Sequence, residues 1–213
     1  MVLTACLLGC YATTHRGPQT LKPGDYSTSG GYLRFTDSDG SGGDPVELLQ
    51  VEGRIGVARG IDIGYMRSFD ISEGVDSDDE GIDTHWFDAK FQLLNRDNVL
   101  DKMTMALGYG FGKVANSEEL WVNSLYLTFG SYHKKGAFFY SFRYETFREE
   151  INWIPGWAWE RDPDDTRKAH ILGLEHQLTS NLYPVVEIGR FYYDDFADGL
   201  NVFTIGVNYY ARK

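Results

Sequence analysis

Apolar and polar residues alternate along most of this chain, and the alternation is clearest from Val46 to Phe69. Leu49, Val51, Ile55 and Val57 share one face, with Gly53 among them, against Gln50, Glu52, Arg54 and Gly56. After a short break, Ile61, Ile63, Tyr65 and Phe69 oppose Asp62, Gly64, Met66 and Ser68. Period two over runs of this length is the pattern of half-buried strands. Keeping the apolar faces together pairs Val57 with Ile61, Ile55 with Ile63 and Gly53 with Tyr65. This predicts a hairpin closed by Ala58-Arg59-Gly60, with glycine where a left-handed residue is wanted. Tyr65 then lies across Gly53, an aromatic covering a strand glycine.

The same reading continued from Asp25 gives about ten strands, with eight as the smaller alternative. They are expected near 25–36, 46–57, 61–69, 84–94, 102–113, 120–132, 137–147, 169–178, 182–193 and 200–210. Connections alternate between short ones, such as 58–60, 133–136 and 179–181, and longer ones, such as 37–45, 70–83 and 148–168. Arg59, Arg96, Lys134 and Lys135 fall in the short turns, and most Asp and Glu of the connections fall in the long ones. Glycines 108, 110 and 112 recur with period two before Lys113, which makes them strand positions on the polar, inward face; the spacing of a phosphate loop is absent.

Alternation alone does not say which face is inside. The polar faces mix small residues with charges of both signs: Glu52, Arg54, Asp62, Asp88, Lys90, Arg143, Glu145, Glu175 and Glu187. The apolar faces carry Phe69, Tyr132, Phe138, Tyr144 and Tyr209 near strand ends. Charges that pair within an enclosed space, and aromatics gathered at two rims, fit a barrel with its apolar face in lipid. Open edges there would strand backbone polar groups in hydrocarbon, so the sheet must close. The expectation is an all-β, up-and-down antiparallel transmembrane barrel over residues 25–213, its lumen filled by a charge network. Arg67 falls on the lipid face and must reach toward headgroups.

Composition narrows the partners. A mean hydropathy of −0.36 is compatible with such a barrel, whose strands need only every second residue apolar. A net charge of −11 over 213 residues argues against nucleic acid. Both cysteines lie at positions 6 and 10, so no disulfide framework spans the domain. Residues 1–9 read as the end of a secretory signal. Leu7-Leu8-Gly9-Cys10 resembles the bacterial lipobox, which implies lipidation of Cys10, and residues 10–24 read as a polar tether. Leu3-Thr4-Ala5-Cys6 fits the same pattern but leaves almost no apolar segment before it.

With these features the chain resembles small bacterial outer-membrane β-barrel proteins with a lipoprotein-like leader. The resemblance implies the outer membrane, contact with its lipid and lipopolysaccharide, and a structural or interaction role. The final aromatic pair Tyr209-Tyr210 is displaced from the terminus by Ala211-Arg212-Lys213, where many such barrels end in Phe or Trp. Some barrels of this size, omptin proteases and lipid A deacylases among them, are enzymes with His and carboxylates at the outer rim. That makes Asp83, His85 and His170 catalytic candidates for an enzyme acting on lipid or peptide, with Asp88 and Glu175 as supporting carboxylates. A third reading is a soluble periplasmic barrel that binds a small apolar ligand.

Asp37, Asp39 and Asp44 space carboxylates among glycines as a calcium loop does, without the closing Glu. Asp76 to Glu80 form a second acidic cluster, and divalent cations could bridge these loops to anionic lipopolysaccharide. Trp153, Trp157 and Trp159 fall in one predicted external loop, where three exposed indoles are costly. No cofactor motif is present.

Overall fold

In the computed structural model the chain is a closed barrel of ten antiparallel strands, each paired with its sequence neighbours and the last with the first. The structure describes residues 17, 19–37, 45–72, 83–94, 103–114, 121–133, 135–148, 166–192 and 199–211. The strands are β1 (Tyr26–Asp37), β2 (Val46–Ala58), β3 (Ile61–Asp70), β4 (Asp83–Leu94), β5 (Met103–Val114), β6 (Trp121–His133), β7 (Gly136–Arg148), β8 (Thr166–His176), β9 (Leu182–Tyr192) and β10 (Gly199–Ala211). Ala58 and Ile61 are separated by two residues and so are His133 and Gly136, whereas Arg148 and Thr166 are separated by seventeen. One rim therefore carries the tightest turns and both ends of the sheet, and the other carries the longest connection. The split is not complete: Leu94 and Met103 at the first rim are separated by eight residues, while Val114 and Trp121, and Tyr192 and Gly199, at the second are separated by six.

The β2–β3 hairpin has the predicted pairs Ile55↔Ile63 and Gly53↔Tyr65. Its turn is tighter than expected. Ala58 itself pairs with Ile61, and the spare residue is taken up as a bulge between Gly56 and Ala58. Gly60 has φ +77°, the left-handed conformation that its missing Cβ makes accessible.

The wall is apolar outside and polar inside. Leu49, Val51, Ile55, Ile63, Phe87, Leu125, Leu174, Ile188 and Ile205 are exposed, and Arg54, Asp62, Lys90, Arg143, Glu145 and Arg167 are buried. A soluble barrel has the opposite arrangement, because water rewards a polar exterior. Two features depart from the expected polarity. Tyr132 does not belong to the apolar face: it turns into the lumen at the short-turn rim, where its hydroxyl accepts from the Gln19 amide at 3.1 Å. An apolar cluster of Leu33, Phe35, Leu48, Ala169, Ile171, Phe191 and Val202 also packs inside the barrel toward the long-loop rim.

Large side chains enter the lumen where the facing strand offers only hydrogen. Trp86 lies over Gly110 and Gly112, Tyr126 over Gly108, and Phe139 over Gly173. The glycine alternation of β5 thus provides the floor on which two aromatics rest.

Candidate functional site

The lumen is the most organised part of the molecule. Near its short-turn half, Arg54 of β2 is the hub. Its guanidinium donates to Asp62 of β3 and Asp88 of β4, and its Nε donates to Glu52 Oε1 at 3.0 Å. Ser29 donates to the other oxygen of Glu52 at 3.0 Å, and the Tyr126 hydroxyl donates to Asp88. Lys90 Nζ lies 3.8 Å from Asp62. Higher in the barrel, Arg143 sits 5.1 Å over the Tyr126 ring and 3.6 Å from Glu145. Arg167 donates to Glu145 and is clamped between Phe147 and Phe191, 5.0 and 4.9 Å from their ring centres. Four cations, Arg54, Lys90, Arg143 and Arg167, face four carboxylates, Glu52, Asp62, Asp88 and Glu145. Burial of charge is tolerable only with such pairing, since an isolated ion costs many kcal/mol to desolvate.

Of the predicted lumen residues, Glu52, Arg54, Asp62, Asp88 and Lys90 form one cluster, and Arg143 joins Glu145 in the next. Glu175 stands apart at the short-turn rim, accepting from Asn208 at 3.0 Å and from Tyr210 at 3.2 Å. Glu187 is buried on β9. The sequence pattern does not place Arg167 in the lumen, because it starts the eighth strand at Ala169, three residues after the observed start at Thr166. Its inward parity with Ala169, Ile171, Gly173 and Glu175 is visible once the strand is extended by three residues.

The polar stretch before β1 is not a free tether over its described part. Lys90 Nζ donates to the carbonyls of Gly17 and Gln19 at 3.3 and 3.1 Å. The Leu21 amide donates to Asp62 Oδ2 at 3.0 Å, and Thr20 Oγ1 donates to Gln92 Oε1 at 2.7 Å. The Gly24 amide donates to the Gly56 carbonyl at 2.9 Å. These residues therefore enter the short-turn mouth and share the buried ion cluster. A cavity of about 350 Å³ remains beside them, lined by Thr20, Lys22, Asp25, Tyr132, Glu175 and Tyr183 among others.

The catalytic candidates are not gathered. His85 and His170 lie on β4 and β8, separated around the barrel by three strands, and both face outward. Tyr65 Oη lies 2.6 Å from His85 Nδ1. His170 is sandwiched between tyrosines, with Nδ1 2.5 Å from the Tyr140 hydroxyl and Nε2 3.0 Å from that of Tyr192. Asp83 begins β4, as Phe69's partner. Asp37 closes β1, while Asp39, Asp44, the 76–80 cluster, Trp153, Trp157, Trp159 and Cys10 lie outside the described residues. Among the described residues no three His, Cys, Asp or Glu converge as a metal site.

A small closed ten-stranded barrel with this inverted polarity resembles the bacterial outer-membrane barrels. No protein-family model and no curated protein sequence matches the chain. Among solved structures, an outer membrane channel from Pseudomonas putida F1 superposes with a TM-score of 0.52 at 10% identity, over 91% of this chain and 98% of that one. The KdgM porin in complex with disordered oligogalacturonate gives 0.47 at 11% identity, over 86% and 99%. The outer membrane phospholipase of Salmonella typhi, a dimer with bound calcium, gives 0.46 at 11% identity, over 96% of each chain. At such identities the likeness is one of fold.

Proposed function

We propose that this chain is an outer-membrane β-barrel of structural or interaction type, closed to solute flow, with acidic loops displayed at its outer rim. The observation that carries the reading is the polarity of the wall. Residues such as Val51, Ile55 and Ile63 are exposed, while Arg54, Asp62 and Arg167 are 7%, 0% and 0% exposed inside. That arrangement is unfavourable in water and favourable in hydrocarbon. Outward apolar positions of β2 run from Leu49 to Val57, eight residue steps. At about 3.4 Å per step and a tilt near 40°, they cover about 21 Å along the barrel axis, close to the apolar band of such barrels. Closure of the lumen rests on the ion clusters, the apolar packing near the long-loop rim and the inserted N-terminal residues. Lipid and lipopolysaccharide are the partners this surface calls for.

The reading includes a lipid on Cys10, seven residues before Gly17. At full extension seven residues reach about 24 Å. From the short-turn mouth that length reaches the adjacent leaflet and falls short of the far one, so the acyl chains would enter the periplasmic side.

Measurements on the purified protein test the proposal. The purified protein should require detergent, migrate as a heat-modifiable band, and give no steady conductance in planar bilayers. A protein that stays monodisperse without detergent, or one that conducts ions steadily, overturns the membrane reading or the closed lumen respectively. Mass spectrometry of the mature N-terminus checks the lipid on Cys10.

A further inference from the structure

We propose that the cavity at the short-turn mouth binds the glycan of the cell wall, with Tyr132, Tyr183 and Tyr210 around an N-acetylated sugar and Glu175 at its floor. The wall as partner rests on the outer-membrane reading above; the sugar site itself rests on the cavity. The described residues before β1 fill the mouth unevenly. They bond to Gly56 of β2, Asp62 of β3, and Lys90 and Gln92 of β4. Toward β6–β10 they leave the volume of about 350 Å³. That size lies at the lower end of small-molecule sites. Lys22 and His133 at its margin are exposed, and Glu175 is 6% exposed. The cavity therefore opens at the rim and ends on a buried carboxylate.

Strand parity builds the walls. Tyr132, Ala137, Glu175, Tyr183 and Tyr210 take inward positions at the short-turn end of β6, β7, β8, β9 and β10, five adjacent strands. Tyr183 and Tyr210 meet edge to face, with centroids 5.0 Å apart and planes at 87°, which leaves a right-angled aromatic corner. The Tyr210 hydroxyl donates to Glu175 Oε2 at 3.2 Å, and Asn208 Nδ2 donates to the same oxygen at 3.0 Å. The Gln19 amide donates to the Tyr132 hydroxyl at 3.1 Å. Tyrosines anchored by their hydroxyls present rigid apolar ring faces beside polar groups.

The chemistry of the lining selects the occupant. A pyranose carries C–H groups on its faces and hydroxyls around its edge. It packs on a tyrosine ring and exchanges hydrogen bonds with both donors and acceptors. Gln19 and Gln177 offer both kinds, Lys22 donates, and Asp25 and Glu175 accept. A carboxylate has about four lone-pair sites, so the bonds these two already make leave capacity for more. Leu21 and Ala137 add an apolar patch suited to an acetamido methyl, whose amide the glutamines match. Besides the tyrosines, the titratable groups of the lining are Lys22, Asp25, His133 and Glu175. An ion of either sign meets opposition there, since Lys22 repels a cation and the carboxylates repel an anion. A neutral sugar meets none. In the outer-membrane reading this mouth faces the periplasm, where the N-acetylated polymer is the wall.

The test is calorimetric titration of the full-length protein in detergent with tetra-N-acetylchitotetraose, cellotetraose and spermine. The acetylated chain should bind with a Kd of about 1 mM or tighter, as expected of one sugar unit in a partly open site. Cellotetraose, lacking the acetamido group, should bind at least about tenfold more weakly, and spermine should not bind. Tyr183→Leu should weaken binding of the acetylated chain at least about tenfold, while Tyr209→Leu, on the outward face beside it, should leave binding unchanged. Heat-modifiable migration shows which variants are folded. If Tyr183→Leu does not fold, Gln177→Ala should still weaken binding by several-fold. The wild type should also co-sediment with purified sacculi, and Tyr183→Leu should not. Absence of tetrasaccharide binding, or equal binding by wild type and the cavity variants, overturns the site. Equal binding of cellotetraose, or failure to co-sediment with sacculi, overturns the wall glycan as its occupant. Spermine binding tighter than the tetrasaccharide overturns the sugar in favour of a cation. A wild type that is monodisperse without detergent overturns the outer-membrane reading instead, a result distinct from these.

Discussion

Glycine 108 and glycine 53 are both strand residues, and changing each to alanine should have opposite effects. Glycine in a strand costs about 0.5–1 kcal/mol relative to alanine, because the unfolded chain is freer. At Gly53 the outward Cβ meets nothing within 4 Å, so that gain is kept. At Gly108 the Cβ lands in the Tyr126 ring. That ring has no room to retreat: its hydroxyl is bound to Asp88 and its other face lies under Arg143. Overpacking costs about 1–3 kcal/mol, and an overlap this deep with a pinned ring falls at about 2–3, which leaves a net loss of about 1–2.5 kcal/mol for Gly108→Ala. At about 2–4 °C per kcal/mol for a chain of this size, the unfolding midpoint should fall by about 2–10 °C in G108A and rise by about 1–4 °C in G53A. The conversion of the compact to the unfolded gel band with temperature, at a fixed heating time, measures both. The G108A penalty should largely vanish in a Tyr126→Leu background, because the two substitutions share one contact. A G108A midpoint at or above wild type, with Tyr126 intact, refutes the packing argument.

Two further outcomes follow from the lumen. Arg54→Met removes the common partner of Glu52, Asp62 and Asp88 and should cost about 3–5 kcal/mol; adding Asp62→Asn and Asp88→Asn should recover part of that loss in the same gel assay. Asp62→Leu with Lys90→Met takes away the side chains bonded to Gly17, Gln19 and Leu21, so hydrogen exchange at the Leu21 amide should speed up by about tenfold or more while the β2 and β3 amides stay protected.

What could be read from the sequence follows how local its cause is. The β2–β3 hairpin was legible because Gly60 and the alternating faces on either side of it decide its register within twenty-odd residues. The bulge at Val57 was not, since it depends on how Ala58 meets Ile61. Arg167 was missed because Arg167 and Lys168 put a charge on each face, which looks like a loop until Glu145, Phe147 and Phe191 are brought around the first of them. The insertion of residues 17 and 19–24 was illegible for a similar reason. Its side-chain partners Asp62, Lys90, Gln92 and Tyr132 lie on three strands far along the chain, and nothing in a polar, proline-bearing stretch announces them. The glycines of β5 were read correctly as inward positions, but their purpose appears only when Trp86 and Tyr126 are seen lying on them.

The apolar cluster inside the long-loop end also has a consequence for where the barrel leaves the lipid. On β8, β9, β10 and β1 the inward residues Ile171, Phe191, Val202 and Phe35 are apolar, and the outward residues beside them are His170, Arg190, Asn201 and Arg34. This is the polarity of a soluble barrel. Lower on the same strands it reverses, with Leu172, Ile188, Phe203 and Tyr32 outward and Gly173, Glu187, Thr204 and Gly31 inward. A wall whose two faces exchange character along one strand has passed from one solvent to another, so the boundary on this side lies between Ile188 and Arg190 on β9 and between Phe203 and Asn201 on β10. Spin labels on cysteines introduced at Ile188 and Asn201, with Cys6 and Cys10 replaced, should report it in reconstituted bilayers. The Ile188 label should be relaxed by oxygen and the Asn201 label by a water-soluble nickel chelate. Oxygen-dominated relaxation at both positions would put the whole rim in hydrocarbon and remove the reason given for apolar packing inside it.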